Sequence, residues 1–177
     1  AYTIDAGQLV ALSLPDAAAT RLVPPDGLVD GIPLGELFNL ARSADGAGAN
    51  AVIAASPRTD LWNPNVIRAS AGKVFTIPLA AAPSAEVRPW LVDHGIRVLA
   101  ARVDGARRYT ETDLTGPVAI VVGAEDAGLT DDWSGPDVEA ISLPMHGVAD
   151  SLNVSVTAAV LLYEARRQRD RHMGVAD

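Results

Sequence analysis

The sequence predicts an α/β domain with a mostly parallel sheet flanked by helices. Short apolar runs rich in β-branched residues alternate with segments whose apolar residues recur at helical spacing, which is typical of a parallel sheet. The run 117–122, Pro-Val-Ala-Ile-Val-Val, is apolar throughout, as expected of a strand covered on both faces. With 177 residues, 49% of them hydrophobic, the chain is long enough for one domain with a substantial core.

The first half of the chain starts with an uncertain region and then takes up a strand–helix rhythm. A plausible strand and a connector rich in Ala, Pro and Asp occupy residues 1–27. The segment that starts at Pro33 is predicted to be a helix, because four of its apolar residues share one helical face. In order, the predicted elements are a strand at 28–32, a helix at 33–48 with Leu37, Leu40, Ala41 and Ala44 on that face, a strand at 51–55, a short helix at 63–71 and a strand at 74–79.

The second half continues the same rhythm. Gly95 is predicted to end a helix, because glycine accepts the left-handed backbone found just beyond many helices. The last helix begins after a polar, glycine-containing loop. In order, the predicted elements are a helix at 84–94, a strand at 96–101, a polar connector at 104–115, the apolar strand at 117–122, a turn-rich helix or loop at 131–137, a strand at 138–143 and a helix at 153–171.

Composition excludes several kinds of site. The chain has no cysteine, which removes disulfides, thiolate catalysis and cysteine zinc sites and is compatible with a cytoplasmic location. Its three histidines lack metal-ligand spacing, so no metal is expected, and no apolar run is long enough to span a membrane. The net charge of −8 makes the whole chain a poor electrostatic trap for nucleic acid. Thirteen of the 14 basic residues are arginine, which suits local phosphate recognition.

Two polar segments follow predicted strands and are candidates for a binding site. After the apolar strand comes Gly-Ala-Glu-Asp-Ala-Gly-Leu at 123–129, where Gly123 allows close approach to the backbone and Gly128 allows a tight turn. After the strand at 138–143 comes a loop that ends in Ser151-Leu152-Asn153-Val154-Ser155. The first segment alone is equally consistent with a solvated turn. The second is consistent with Ser151 as a helix cap and Leu152 in the core, although this leaves its other polar residues unexplained.

Three further groups of basic residues carry weaker signals. Arg42 lies inside the first helix, where an arginine is usually a solvated residue. The segment 68–79 places two cations and a hydroxyl beside Gly72, which suits either a helix C-terminus or a phosphate-facing loop. Near the end of the last helix, basic residues favour the helix dipole but equally suit RNA phosphates or a partner subunit. These residues are Arg166, Arg167, Arg169 and Arg171.

Taken in order, these segments resemble the SpoU (TrmH-like) branch of the SPOUT RNA methyltransferases. The likeness covers residues 28 to about 170 and rests on Arg-Ser-Ala at 42–44, Gly-Ala-Glu-x-x-Gly-Leu at 123–129 and Leu-Pro-Met…Ser-Leu-Asn-Val-Ser at 143–155. The resemblance implies a SPOUT-type sheet with a deep C-terminal trefoil knot, a homodimer, and S-adenosylmethionine bound in the knotted loops. It also implies methylation of a ribose 2′-OH in rRNA or tRNA, with no metal required.

Site residues are carried over from the resemblance by motif position. The catalytic residues are expected to be Arg42, Glu125, Ser151 and Asn153, and Arg42 is also an expected RNA contact. Segment 69–78 fits the family as well, and with its interpretation as a phosphate-facing loop it adds Ser70 and Lys73 to the expected RNA contacts. A guanidinium stays protonated, so Arg42 is expected to hold the phosphate beside the target ribose rather than act as a base. The expected contacts to the cofactor are Val122, Gly123, Gly128, Leu143, Met145 and Leu152.

The resemblance also suggests how the chain is divided. The sequence starts at Ala1 without a methionine, which suggests a trimmed chain. Residues 1–27 are therefore expected to be an N-terminal strand and linker, the remnant of a missing RNA-binding domain. The catalytic domain is expected at 28–177.

The first motif departs from the family pattern. Glu36 stands where the family has an asparagine, and Phe38 where it has a glycine. A carboxylate there repels RNA phosphate or pairs with Arg42. This supports an alternative function, a SPOUT-fold binding protein that keeps the cofactor or RNA site and has lost methyl transfer. A generic nucleotide-binding α/β module is a third possibility, which the paired motifs at 123–129 and 143–155 disfavour.

Overall fold

The computed structural model describes residues 8–13, 34–55, 77–123 and 128–174. The helices are α1 (Leu34–Gly46), α2 (Ser84–Asp93) and α3 (Val154–Met173). Two short 3-10 helices lie at Tyr109–Glu111 and Asp131–Trp133. The strands are β1 (Gln8–Ser13), β2 (Ala51–Ala55), β3 (Leu79–Ala82), β4 (Arg97–Ala101), β5 (Arg107–Arg108), β6 (Val118–Val122) and β7 (Val138–Ser142).

Within the described residues, the seven strands form one mixed sheet in the order β3-β2-β1-β6-β4-β7-β5. Neighbouring strands are parallel except where β1 pairs with β2 and with β6. The prediction of a mostly parallel sheet is thus confirmed. Strand β1 lies near the middle of the sheet, so residues before the expected domain start at Leu28 take part in the same sheet as those after it.

Two apolar cores form because successive residues of a strand point to opposite faces of the sheet. On one face, Val118, Ile120 and Val122 of β6 pack with the buried sides of α1 and α3. On the other face, Ala119 and Val121 pack with α2 and the buried Trp133. Strand β6 is therefore buried on both faces, as its uninterrupted apolar sequence predicts.

Most of the predicted elements are confirmed to within a few residues. The four apolar residues expected on one face of the first helix are buried in the α1 core. The strand predicted at 74–79 is misplaced, because Ile77 and Pro78 lie before the strand and β3 runs on to Ala82. Part of the polar connector forms β5 and a 3-10 helix. The predicted elements at 28–32 and 63–71, and residues 74–76, lie outside the described residues.

The last helix is tied to the sheet by two polar side chains that face inward. Gln168 accepts a hydrogen bond from the Leu114 amide at 2.8 Å and donates to the Thr112 carbonyl at 3.0 Å. Arg169 is only 8% exposed and donates to the hydroxyl and carbonyl of Ser13. Its other bonds go to the carbonyls of Thr115 and Gly116, at 3.2 and 2.9 Å.

The interpretation of Arg169 as an RNA or partner contact is therefore wrong. Its guanidinium is used inside the fold, where it joins the end of β1 to the start of β6. The neighbouring Arg166 and Arg167 form ion pairs with Asp170 and Glu164 on the helix surface. No helix in the described part of the chain is long and apolar enough to cross a membrane.

Candidate active site

A cavity of about 490 Å³ opens at the carboxyl ends of the neighbouring parallel strands β6, β4 and β7. The ends align because Ala100 pairs with Val121 and Ala101 with Ile141 in the sheet register. Ligands of open α/β sheets bind at such strand ends. Its walls are Ala101, Arg102, Val103, Asp104, Val122, Gly123, Gly128, Leu129, Leu143, Met145, Asp150, Ser151, Leu152, Val154 and Thr157.

Every residue expected to contact a cofactor lies in the wall of this cavity. The structure thus brings Val122, Gly123 and Gly128 together with Leu143, Met145 and Leu152, although the two groups are 15 positions apart at their nearest residues, 128 and 143. Ser151, one of the expected catalytic residues, lines the same space. The volume is in the range of roughly 300–1,000 Å³ typical of small-molecule sites.

The glycines at 123 and 128 are required by the chain itself. A Cβ on Gly123 would lie 2.3 Å from the Gly128 carbonyl carbon and 2.6 Å from the Leu129 nitrogen. Gly128 has φ +64°, the left-handed region that favours glycine. The backbone of Gly123 therefore packs directly against that of Gly128 and Leu129. Glu125 lies outside the described residues.

Asn153 begins the last helix, and Ser151 does not. The Asn153 side-chain oxygen accepts hydrogen bonds from the Ser155 amide at 2.9 Å and the Ser155 hydroxyl at 2.6 Å. The proposed cap at Ser151 is thus wrong, and Ser151 is exposed at the cavity wall. Leu152 is not a core residue either, because 39% of it is exposed. Capping by Asn153 satisfies an amide that the helix itself leaves unbonded.

We expect two substitutions of Asn153 to separate its capping role from a catalytic one. Asn153→Ala removes the cap and should lower the free energy of unfolding by about 1 kcal/mol in urea denaturation. Asn153→Asp keeps a capping oxygen and should remain close to the wild-type stability. If the amide also orients substrate, the Asp variant loses activity at wild-type stability. Equal stability of the Ala variant and the wild type would contradict the capping role.

The expected RNA contacts are placed only in part. Arg42 is exposed on α1 and is not one of the cavity-lining residues. It lies on a helix that packs against α3, whose first turn contributes Val154 and Thr157 to the cavity wall. Ser70 and Lys73 lie outside the described residues.

Sequence reasoning missed the loop that follows β4. This loop contributes an ion pair, in which Arg102 Nε donates to Asp104 Oδ1 at 2.9 Å. The pKa of the Asp104 carboxyl lies below its ordinary value, mainly because Arg102 donates hydrogen bonds to it and secondly because Arg102 is positively charged. The same bonds raise the pKa of Arg102. The position of the loop after a third parallel strand was the signal that could have found it. The other missed wall residues are Ala101, Val103, Leu129, Asp150, Val154 and Thr157.

Comparison with known families gives a direct match. Residues 37–163 match the model of the SpoU rRNA Methylase family, which is well over half of the chain and includes both cavity segments. The chain belongs to the SpoU rRNA methylase family. The SpoU match begins inside α1 at Leu37 and ends inside α3 at Tyr163.

Two curated SpoU-type relatives illustrate the range of the match. A 23S rRNA (uridine(2479)-2′-O)-methyltransferase of Streptomyces viridochromogenes is 34% identical, covering 88% of this chain and 61% of its own length. A 23S rRNA (guanosine-2′-O-)-methyltransferase, RlmB, of Pectobacterium atrosepticum is 37% identical, with 81% and 58% covered. The chain therefore spans about three fifths of the length of the curated relatives that it matches.

Solved structures agree with this placement. The chain is similar to an RNA 2′-O ribose methyltransferase at 41% identity and a TM-score of 0.71, covering 88% of this chain and 62% of that one. It is also similar to the SpoU methyltransferase AviRb of Streptomyces viridochromogenes, solved in complex with the cofactor AdoMet. There the identity is 32% and the TM-score 0.70, with 78% and 57% covered. These neighbours share the mixed α/β sheet.

Proposed function

We propose that this chain is the catalytic domain of an S-adenosylmethionine-dependent RNA ribose 2′-O-methyltransferase acting on rRNA or tRNA. The observation that carries the proposal is the cavity at the ends of β4, β6 and β7. It is lined by all six residues assigned to cofactor binding, from two separate motifs. Two curated relatives are named as 23S rRNA 2′-O-methyltransferases, and a structural neighbour has AdoMet bound.

The chemistry of the cavity wall fits the proposed cofactor. Apolar side chains from Val122, Leu143, Met145 and Leu152 suit the flat adenine ring, and Gly123 lies in the same wall. S-adenosylmethionine supplies, when bound, a methyl group activated on a sulfonium. The wall residues therefore have to bind and orient rather than activate, and positioning accounts for much of the rate in such a transfer.

The proposed catalytic roles come from motif position in the SpoU family, and side-chain chemistry narrows the role of Arg42. The Arg42 guanidinium stays protonated, so it is assigned to the phosphate next to the target ribose, where it also favours the developing 2′-alkoxide. Ser151 lines the cavity and is assigned to orient the hydroxyl, together with Asn153 beside it. Glu125, Ser70 and Lys73 keep their assigned roles as predictions.

Calorimetric titration tests the binding half of the proposal. S-adenosylmethionine and its demethylated product, S-adenosylhomocysteine, are each expected to bind one site per chain with a Kd in the micromolar range. ATP serves as the control ligand. It carries the same adenosine, but no group of basic residues in the cavity is proposed to bind its triphosphate. Absence of heat with both sulfur compounds would contradict this proposal and its alternative.

A non-catalytic SPOUT-fold binding protein is the second candidate function. It is favoured by Glu36, which stands on α1 six residues before Arg42, at the position of the family asparagine. A carboxylate there opposes an RNA phosphate electrostatically. This candidate predicts cofactor binding without methyl transfer, and Glu36→Asn would then be the substitution with which to restore activity.

A homodimer, a trefoil knot and a cytoplasmic location complete the proposal. After β7, near one edge of the sheet, the chain returns to α3, which packs over β6 and β1 and against α1. The return crosses β4, and the knot itself is proposed from the family resemblance. A dimer is supported by α3, where Val156 and Tyr163 are 46% and 53% exposed instead of joining the core. The domain boundary at Leu28 stays a prediction.

Sedimentation velocity tests the dimer. The wild-type protein is expected to sediment as a species of two chains. Tyr163→Glu places a charge on the exposed apolar face and should shift it to a single chain. The control is Val92→Glu, an equally apolar and 45% exposed residue on α2. A wild-type protein that stays a single chain at high concentration would remove the dimer from the proposal.

A further inference from the structure

One ion pair in the cavity wall has no role in the function proposed above. Arg102 and Asp104 both line the cavity and bind each other through two hydrogen bonds, Nε to Oδ1 at 2.9 Å and Nη2 to Oδ2 at 3.4 Å. The third guanidinium nitrogen of Arg102, Nη1, donates to the Ser134 hydroxyl at 3.3 Å. All three nitrogens of Arg102 are therefore engaged, and the orientation of the Asp104 carboxylate is set by a bidentate partner.

The backbone of this loop is held against the sheet directly behind the pair. A Cβ on Gly105 would lie 2.5 Å from the Ile141 carbonyl carbon and 2.8 Å from the Ser142 nitrogen. The Arg102 amide donates a hydrogen bond to the Ile141 carbonyl at 2.9 Å, and the Gly105 amide donates one to the Arg102 carbonyl at 3.2 Å. The loop is thus a tight turn packed on the end of β7. A side chain placed on such a turn can select a ligand with little loss of conformational freedom.

The Asp104 carboxylate retains capacity for a ligand. It has two oxygens with about four lone-pair sites, and Arg102 takes one on each oxygen. The side chain is 67% exposed and Asp104 lines the cavity, so a ligand there can reach it. Because Arg102 neutralises its charge, a neutral donor is favoured over a cation. In an adenosyl compound, the neutral group with two adjacent donors is the ribose diol, and carboxylates accept from ribose hydroxyls in other nucleotide sites.

We propose that Asp104 is the residue that recognises the ribose diol of the cofactor, and that Arg102 is the positioning residue that holds it. The assignment rests on the proposed function, since it presumes an adenosyl ligand in this cavity. It adds a specificity determinant from the loop after β4, a segment outside both cofactor motifs. Discrimination follows from the charge-assisted hydrogen bonds themselves, because a ligand without the hydroxyls offers this carboxylate no donors.

The test compares ligands with and without the diol on matched variants. S-adenosylhomocysteine and its 2′,3′-dideoxy analogue are titrated into the wild type, Asp104→Ala and Arg102→Met. The control is Asp137→Ala, which removes the partner of Arg88, another surface arginine–aspartate pair, away from the cavity wall. A third ligand, 5′-methylthioadenosine, keeps the diol and lacks the amino-acid part.

The wild type and Asp137→Ala should bind S-adenosylhomocysteine about tenfold or more tightly than its dideoxy analogue. This ratio corresponds to one charge-assisted hydrogen bond. Asp104→Ala should lose that preference, because its affinity for S-adenosylhomocysteine and for 5′-methylthioadenosine should fall by a similar factor. Arg102→Met should lose part of it. An unchanged preference in Asp104→Ala overturns the assignment of Asp104 and leaves the proposed function standing. Weakened binding of S-adenosylhomocysteine alone does the same, because it would place the contact at the ammonium group of that ligand. A wild type that binds no adenosyl compound overturns the proposed function along with the assignment.

Discussion

Arg169→Met is expected to lower the free energy of unfolding by about 3 kcal/mol or more. Arg169 is a buried residue of α3, and its guanidinium donates to four oxygens, from Ser13, Thr115 and Gly116. Methionine fills similar space but donates nothing, so these buried and half-buried oxygens lose their charged donor. Urea denaturation followed by circular dichroism measures the change.

Arg166→Met is the matched control for this substitution. Arg166 lies one turn earlier on the same helix and forms an exposed pair with Asp170, a type of interaction that contributes about 0.5 kcal/mol or less. The control should therefore denature almost as the wild type does. A loss of stability in Arg169→Met no larger than that of the control would show that the buried hydrogen bonds contribute little.

Gly123→Ala is expected to weaken the binding of S-adenosylmethionine by about 100-fold, equivalent to about 2.7 kcal/mol. The added Cβ would meet the backbone of Gly128 and Leu129 at 2.3–2.6 Å, and backbone atoms cannot move aside as a flexible side chain can. The loop has to open, and Gly123, Gly128 and Leu129 all line the cavity. The stability should also fall, by about 1–3 kcal/mol.

Gly116→Ala controls for the chemistry of this change at the other end of β6. A Cβ there would meet no atom of the described residues within 4 Å, and the backbone is not left-handed. This variant should bind the cofactor as the wild type does. Calorimetry decides between the two, and wild-type affinity in Gly123→Ala would mean that the loop at 123–129 does not shape the binding site.

Much of the fold can be predicted because local pattern and burial agree. The apolar run of β6 requires cover on both faces, and the helical spacing of Leu37, Leu40, Ala41 and Ala44 identifies the buried side of α1. The position of β1 could not be predicted in this way. Its antiparallel pairing between β2 and β6 depends on hydrogen bonds to strands more than 35 residues away in the sequence.

The site shows the same division. The residues predicted to contact a cofactor could be brought to one cavity from the sequence because their motifs are contiguous and each follows a strand. The Arg102–Asp104 pair was missed because only the sheet order places the end of β4 between those of β6 and β7. Arg169 was misread because nothing local distinguishes it from Arg166 and Arg167; its burial depends on the distant Ser13. Ser151 and Asn153 are equally good caps by residue type, and only the start of the helix decides between them.

Transfer of a radiolabelled methyl group to RNA distinguishes a methyltransferase from a protein that only binds the cofactor. The protein is incubated with total rRNA and tRNA and labelled S-adenosylmethionine, and the RNA is digested to nucleosides. We expect label in a 2′-O-methylated nucleoside, and we expect Arg42→Ala to lose this label while it still binds the cofactor. A protein that binds S-adenosylmethionine but labels no RNA, with Arg42 or without it, would contradict the assignment as a methyltransferase and support the non-catalytic alternative.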